Sequence, residues 1–214
     1  RAVDYRLEDA EYVIVGQGSV VWKAEAVTDH LRATRGLKVG VLNVTMFRPF
    51  PADLITALLR GKKGVTVLER TDQPLAVDAP LLREIRAAMG QACENQRARG
   101  EAPYAGIPVC APEAVPDFYS GCFGLGSRDL QPTDLIAAVD NMLDGGKKRR
   151  QFYLGIEFVR PGTRLPKLQI WQERLLESYP HLAELALTPS PDVNLLPEGS
   201  LSLRIHSLHP MPTR

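Results

Sequence analysis

The stretch that most limits what this chain can fold into is Tyr12-Val13-Ile14-Val15-Gly16-Gln17-Gly18-Ser19, followed by a helical pattern to Arg35. Four residues of high strand propensity run into a glycine turn. Ser19 stands where a helix N-cap is wanted, because its hydroxyl can accept a bond from an N–H that the first turn leaves orphaned. Val20, Ala24, Val27 and Leu31 then recur on one helical face, and Gly36 fits the left-handed position just past the last turn. The unit is strand, tight turn, helix: the first half of a βαβ crossover.

Gly16-x-Gly18 also begins a dinucleotide fingerprint. The third glycine, which would let the helix pack close to the strand, falls at Val21. No acidic residue closes the next strand, where a ribose hydroxyl would need one; Val41 to Phe47 offers only Asn43 and Thr45. The turn therefore reads as a tight βα connection in a parallel sheet rather than as a nucleotide site.

The pattern then repeats. Lys38 to Val44 reads as the second strand, nearly continuous in apolar character from Val39 to Leu42, as expected of a strand buried on both faces. Phe47-Arg48-Pro49-Phe50-Pro51 interrupts it, and a helix follows from about Ala52 to Arg60. Gly64 to Glu69 is a valine-rich strand, and Pro80 to about Ala88 a helix with Asp78 near its start. Residues 91–106 read as an exposed polar excursion, Ile107 to Cys110 as a short edge strand, and Tyr119 to Arg128 as a glycine-rich loop. Pro132 opens a last helix carrying Leu135, Ile136, Val139 and Leu143. Residues 1–10 read as an incoming linker. The expected fold is α/β: three layers, a mostly parallel sheet with helices on both faces, plus a C-terminal extension.

Gly145-Gly146 and the basic run Lys147 to Arg150 mark the expected boundary, and the basic run reads as a solvated junction. This gives one domain over residues 1–146, an extension and linker over 147–200, and the possible start of a further domain at 201–214. Within the extension, Phe152, Leu154, Ile156 and Phe158 alternate like a strand, and Leu168 to Ser178 reads as a helix with Leu168, Trp171 and Leu175 on one face. The first residue is Arg1, so the chain reads as cut from something longer or as one with its front removed.

Composition excludes several classes. A formal net charge of +1 gives no field for nucleic acid or a membrane surface. No apolar run approaches the roughly 20 residues of a membrane span, and no signal-peptide pattern opens the chain. The three cysteines, Cys93, Cys110 and Cys122, are odd in number and widely spaced. They suit neither a disulfide framework nor a cluster or zinc motif, and they point to a reducing, cytoplasmic setting. His206 and His209 are close enough in sequence to share a metal on a helix, but the prolines beside His209 argue against a helix there.

Five strings in order resemble one family: Glu8 to Val15, Gly40 to Val44, Phe47 to Pro51, Val67 to Asp72, and Gly124 to Asp129. Together they resemble the second domain of pyruvate:ferredoxin (or flavodoxin) oxidoreductases and related 2-oxoacid oxidoreductases, a domain like the C-terminal domain of transketolase. The resemblance covers roughly residues 8–160. It implies a complete enzyme that converts a 2-oxo acid such as pyruvate, with coenzyme A, to an acyl-CoA and carbon dioxide. Thiamine diphosphate with magnesium would do the carbon chemistry, and iron–sulfur clusters would pass electrons to ferredoxin or flavodoxin. The resemblance places the residues that bind these groups in other domains, so no catalytic, cofactor or metal residue is expected here. Leu201 to Ser207 resembles the first strand of the family's next domain, whereas Leu208-His209-Pro210-Met211-Pro212 departs from its glycine-rich turn.

The remaining candidates are Arg48, Arg70 and Arg128. Arg48 and Arg70 lie just past the carboxyl ends of expected strands, the edge where open α/β sheets place ligands. Arginine there can bind a carboxylate or phosphate in bidentate fashion, or a neighbouring domain or subunit. The alternative is that all three tie loops to acids such as Glu69, Asp72 and Asp129. The glycine loop Gly121 to Gly126 could cradle an anion through its N–H groups, but it lacks the lysine and hydroxyl of a P-loop. Two functions compete: a structural and assembly domain of the oxidoreductase, inactive alone, or a free-standing interaction module of the same fold. The C-terminal domain of another thiamine enzyme is a third reading. The sequence does not separate pyruvate from other 2-oxo acids.

Overall fold

A computed structural model describes residues 1–127, 129–156, 166–187, 190, 193, 195 and 199–201. Six strands form one sheet: β1 (Ala2–Tyr5), β2 (Tyr12–Gly16), β3 (Val39–Val44), β4 (Gly64–Glu69), β5 (Asp117–Cys122) and β6 (Gln151–Tyr153). Their spatial order is β1-β3-β2-β4-β5-β6. Every pairing is parallel except that of β1 with β3.

The helices α1 (Val20–Arg35), α2 (Ala52–Leu59), α3 (Pro80–Arg97) and α4 (Pro132–Met142) connect the strands. Alternation along the strands divides the core in two. Tyr12, Ile14, Val39, Val41, Leu68 and Tyr119 face α1 and α4. Val13, Val15, Leu42, Val44, Val65 and Val67 face α2 and α3. All five residues of β2 are buried, as the continuous apolar run requires of a strand covered on both faces. This is the expected three-layer α/β arrangement.

The βα turn after β2 forms where expected, with one change at its cap. Ser19 has helical dihedrals and makes no side-chain cap bond; Val21 N–H donates to Gly18 O instead, at 3.2 Å. Gln17 Nε2 donates to Val44 O at 3.1 Å and fastens the turn to β3. Gly36 is left-handed at φ 64° and closes α1.

Four stretches differ from the sequence reading. Residues 1–10 are not a free linker: Ala2–Tyr5 pairs antiparallel with β3. Arg32 holds the following bend on α1, donating to Val39 O (2.7 Å), to Arg6 O (2.8 Å) and to both carboxylate oxygens of Asp9. Residues 91–97 continue α3 rather than opening an excursion, because Ala92 and Asn95 are buried against the core side. Buried Asn95 then organises the loop, donating to Tyr104 O and Ile107 O and accepting from Tyr104 N–H. No strand forms at Ile107 to Cys110; the fifth strand is Asp117–Cys122, which overlaps the start of the segment read as a loop.

The sheet continues past residue 146. β6 pairs with β5, and the basic run preceding it is tied back rather than solvated along its length. Lys148 Nζ donates to Met142 O, Arg149 Nη1 to Ala186 O, and Arg150 to Phe118 O and Asp117. Asn141 closes this turn through two bonds to the Arg149 backbone. Helices α5 (Pro166–Ser178) and α6 (Leu182–Leu185) follow. Trp171 on α5 is largely exposed. The expected strand residues beyond Ile156, Arg128, and the end of the chain from Ser202 onward, His206 and His209 included, lie outside the described residues.

Candidate functional site

Chain order reverses between β2 and β4: β3 is laid down on one side of β2 and β4 on the other. The C-terminal end of this junction is where open α/β sheets bind ligands. Here it is filled from within. The Arg70 side chain crosses the position that a side chain at residue 124 would occupy: a Cβ built on Gly124 would lie 2.8 Å from Arg70 Nε and 3.0 Å from Arg70 Cγ. Gly124 also holds φ at +71°, so glycine is required twice over. Lys23, from the first turns of α1, donates to Leu130 O at 2.8 Å and closes the other side. The crevice left between Ser19, Arg70, Gly124 and Asp129 is about 40 Å³. Ligand sites run to about 300–1,000 Å³, so no nucleotide fits this crevice.

Arg48 and Arg70 both emerge at the C-terminal edge of the sheet, as their positions after β3 and β4 require. Their surroundings differ. Arg48 stacks on the Phe47 ring at 4.2 Å and pairs with Glu84 of α3 at 2.8 Å. Its acidic partner is therefore not one of the three acids named from the sequence. Arg70 is exposed, and its guanidinium makes no hydrogen bond or ion pair among the described residues. Arg128 lies outside those residues.

Glu69 has a different role from the one its sequence neighbours suggest. Its carboxylate reaches across to α3 and accepts from Leu81 N–H (2.6 Å) and Leu82 N–H (3.3 Å). The residue before α3 is Ala79, which offers no side-chain cap, so Glu69 caps the helix from the end of a neighbouring strand. Burial pushes the Glu69 carboxyl above its ordinary pKa, against the two N–H bonds, which lower it. The sequence signal for this role was available but weak: an acid closing a strand and a capless helix shortly after it.

Between them, residues 70–79 form a loop beside a cleft of about 230 Å³ lined by Asp72, Ser120, Cys122, Gln151 and Tyr153. Tyr153 Oη donates to Asp72 at 3.1 Å, and Gln151 Nε2 to Val77 O at 3.1 Å. Asp78 pairs with Arg86 at 2.7 Å. Burial pushes the Cys122 thiol up to about 11, which disfavours its thiolate at neutral pH. Burial likewise raises the Cys110 thiol. All three cysteines are free.

A four-thiolate iron–sulfur cluster needs more cysteines than the three present. Among the described residues no group of three or more His, Cys, Asp or Glu side chains converges as a metal site. The described residues do not fit a magnesium diphosphate group or a cluster. No helix among the described residues is long and apolar enough to cross a membrane.

Fold and edge together define an open, doubly wound α/β domain whose switch point is occupied by its own side chains. Comparison with known proteins gives the particular family. Residues 10–101 match the family model of pyruvate:ferredoxin oxidoreductase core domain II. Pyruvate synthase subunit PorA of Thermotoga maritima is 34% identical over 153 residues, 71% of this chain and 33% of that protein. A probable pyruvate-flavodoxin oxidoreductase of Escherichia coli is 37% identical over 153 residues, 12% of its length. A pyruvate:ferredoxin oxidoreductase of Moorella thermoacetica is 30% identical over 149 residues, 11% of its length. The chain thus spans a third or less of these relatives.

Proposed function

We propose that this chain supplies the second, non-catalytic domain of a thiamine-diphosphate-dependent 2-oxoacid:ferredoxin (or flavodoxin) oxidoreductase. The complete enzyme would convert a 2-oxo acid such as pyruvate, with coenzyme A, to acyl-CoA and carbon dioxide in the cytoplasm. The observation that carries the reading is the match of residues 10–101 to core domain II, supported by relatives named for pyruvate oxidation. Thiamine diphosphate, magnesium and the iron–sulfur clusters would be held by other segments, and ferredoxin or flavodoxin would be the acceptor of the whole enzyme. In this division residues 1–146 form the domain proper, 147–200 an extension, and 201–214 lead toward the next unit.

The role left to the domain is assembly. Its switch point is filled, burial pushes the Cys110 and Cys122 thiols up, and its C-terminal edge presents Arg48 and Arg70 to solvent, Arg70 without a hydrogen bond or ion pair among the described residues. That edge would meet another domain or subunit, with Arg128 as a third contact. The test is to express the full-length gene product without oxygen and follow ferredoxin or flavodoxin reduction with pyruvate and coenzyme A. Reduction that requires both substrates supports the reading. A protein that oxidises no 2-oxo acid under these conditions overturns it.

A further inference from the structure

The loop between β4 and α3 holds two of the most exposed apolar side chains of the described residues, and hydrogen bonds and an ion pair tie it to its neighbours. Leu75 is fully exposed at 106% and Val77 is 85% exposed. Leu75 also has φ +68°, a conformation that bulky L-residues avoid because Cβ crowds the backbone. A free loop would relax such a residue or place glycine there.

This loop is pinned at every turn. Glu69 binds the first N–H groups of α3 at its base. Asp72 is held by Tyr153 and the Val77 carbonyl by Gln151, both from β6. Arg83 donates to Gln73 Oε1 and Ala76 N–H donates to Gln73 O, each at 3.1 Å. Buried Asp78 pairs with Arg86. Two strands and a helix thus fix a strained apex that points a leucine at water. Strain kept by over-determined surroundings marks a functional segment. Two preorganised apolar side chains in a polar setting are the makings of an interface anchor, since little ordering entropy is lost on docking.

We propose that Leu75 and Val77 insert into an apolar pocket on the remaining part of the same oxidoreductase. The inference rests on the proposed function. The choice of partner comes from length and position: the matched region is 33% of the PorA relative and 12% of the E. coli one, so most of such an enzyme lies outside this chain. The loop shares its sheet edge with Arg48 and Arg70, so one partner surface can receive the apolar apex with the two arginines at its rim. In this arrangement the apolar pair anchors and the arginines orient.

The test is hydroxyl-radical footprinting of the intact, full-length enzyme, with Leu82, which is completely buried inside this domain, as internal reference. Leu75 and Val77 should label as weakly as Leu82. Leu75→Gly provides a second measurement, because glycine suits φ +68° and the lost side chain is fully exposed. That variant should fold, label Val77 more heavily, and show a lower melting temperature for the intact enzyme. Leu75 labelling at the rate of a solvent-exposed leucine in an enzyme that oxidises a 2-oxo acid would overturn the anchor alone. So would a Leu75→Gly enzyme with unchanged Val77 protection and melting temperature. An intact protein that oxidises no 2-oxo acid would overturn the function reading, and with it the partner, whatever the labelling.

Discussion

Replacing Val15 with aspartate should unfold this domain, and the structure sets the size of the effect. Val15 is completely buried in β2, with Leu42 and Val67 in register on the two flanking strands. Its side chain belongs to the cluster with Val13, Val44, Ile55 and Leu81, an apolar environment between the sheet and the α2–α3 layer. Truncation to alanine removes two methyl groups at about 0.8 kcal/mol each and leaves a small cavity, about 2–3 kcal/mol in all. Aspartate does more harm. Keeping a carboxyl with an ordinary pKa near 4 neutral at pH 7 costs about 4 kcal/mol. Burying the neutral acid without partners adds about 1–3 kcal/mol. The total, about 7–10 kcal/mol, matches the whole stability of an ordinary domain, about 5–15 kcal/mol. The assay is urea unfolding of this 214-residue chain followed by circular dichroism, with Val15→Ala as control. The proton cost vanishes near pH 4, so the gap between the two variants should narrow by about 4 kcal/mol there. A Val15→Asp chain that unfolds at the same urea concentration as Val15→Ala at pH 7 would refute the central-strand reasoning.

Three further outcomes are expected. Burial raises the Glu69 carboxyl pKa, so its stabilising contribution is complete below the ordinary glutamate range and is lost as pH rises through the raised folded value. Glu69→Gln keeps an acceptor for Leu81 and Leu82 without the charge, so melts should show the variant gaining on the native chain from pH 4 to pH 7, while Glu69→Ala loses the cap and about 1 kcal/mol; an NMR titration placing Glu69 at or below the ordinary value would contradict this. Gly121→Ala should destabilise by about 1–3 kcal/mol through overpacking, since its Cβ would lie 2.6 Å from Leu68 Cδ2 and 2.8 Å from Phe152 Cε2; unchanged thermal unfolding would show that β6 does not pack as described. Arg48→Ala and Arg70→Ala should each leave the melting of this chain nearly unchanged, because Arg70 is an exposed charge with no ion pair among the described residues and the exposed pair of Arg48 with Glu84 contributes about 0–1 kcal/mol, yet weaken assembly or activity of the full enzyme; strong destabilisation of the chain with normal assembly would make both arginines internal ties.

The elements that depend on local pattern alone were legible in the sequence. The buried run of β2, the helical stripe of α1, Gly36 as its left-handed close and the Pro132 start of α4 all follow from periodicity and backbone sterics within one stretch. So did the layer architecture, because alternating strands and helices with doubly buried strands leave few other solutions. The edge location of Arg48 and Arg70 came with it. Partners across the fold were a different matter. Residues Asp117–Cys122 carry too few apolar side chains to read as a strand; β4 makes them one, and Gly121 fits because Leu68 and Phe152 fill the space beside it. Ala2–Tyr5 alternates only weakly and becomes a strand through the free edge of β3. α3 runs through Gly90 because Met89, Ala92 and Asn95 find the core, which outweighs the local cost of glycine in a helix. Glu84 as the partner of Arg48, Glu69 as the cap of α3 and Arg70 as the cover of Gly124 join residues from different elements. Local pattern fixes which segments bury a face, because burial is a one-dimensional periodicity. Which polar group meets which is decided only when the sheet closes, because contacts at hydrogen-bond range depend on distances that no spacing along the chain encodes.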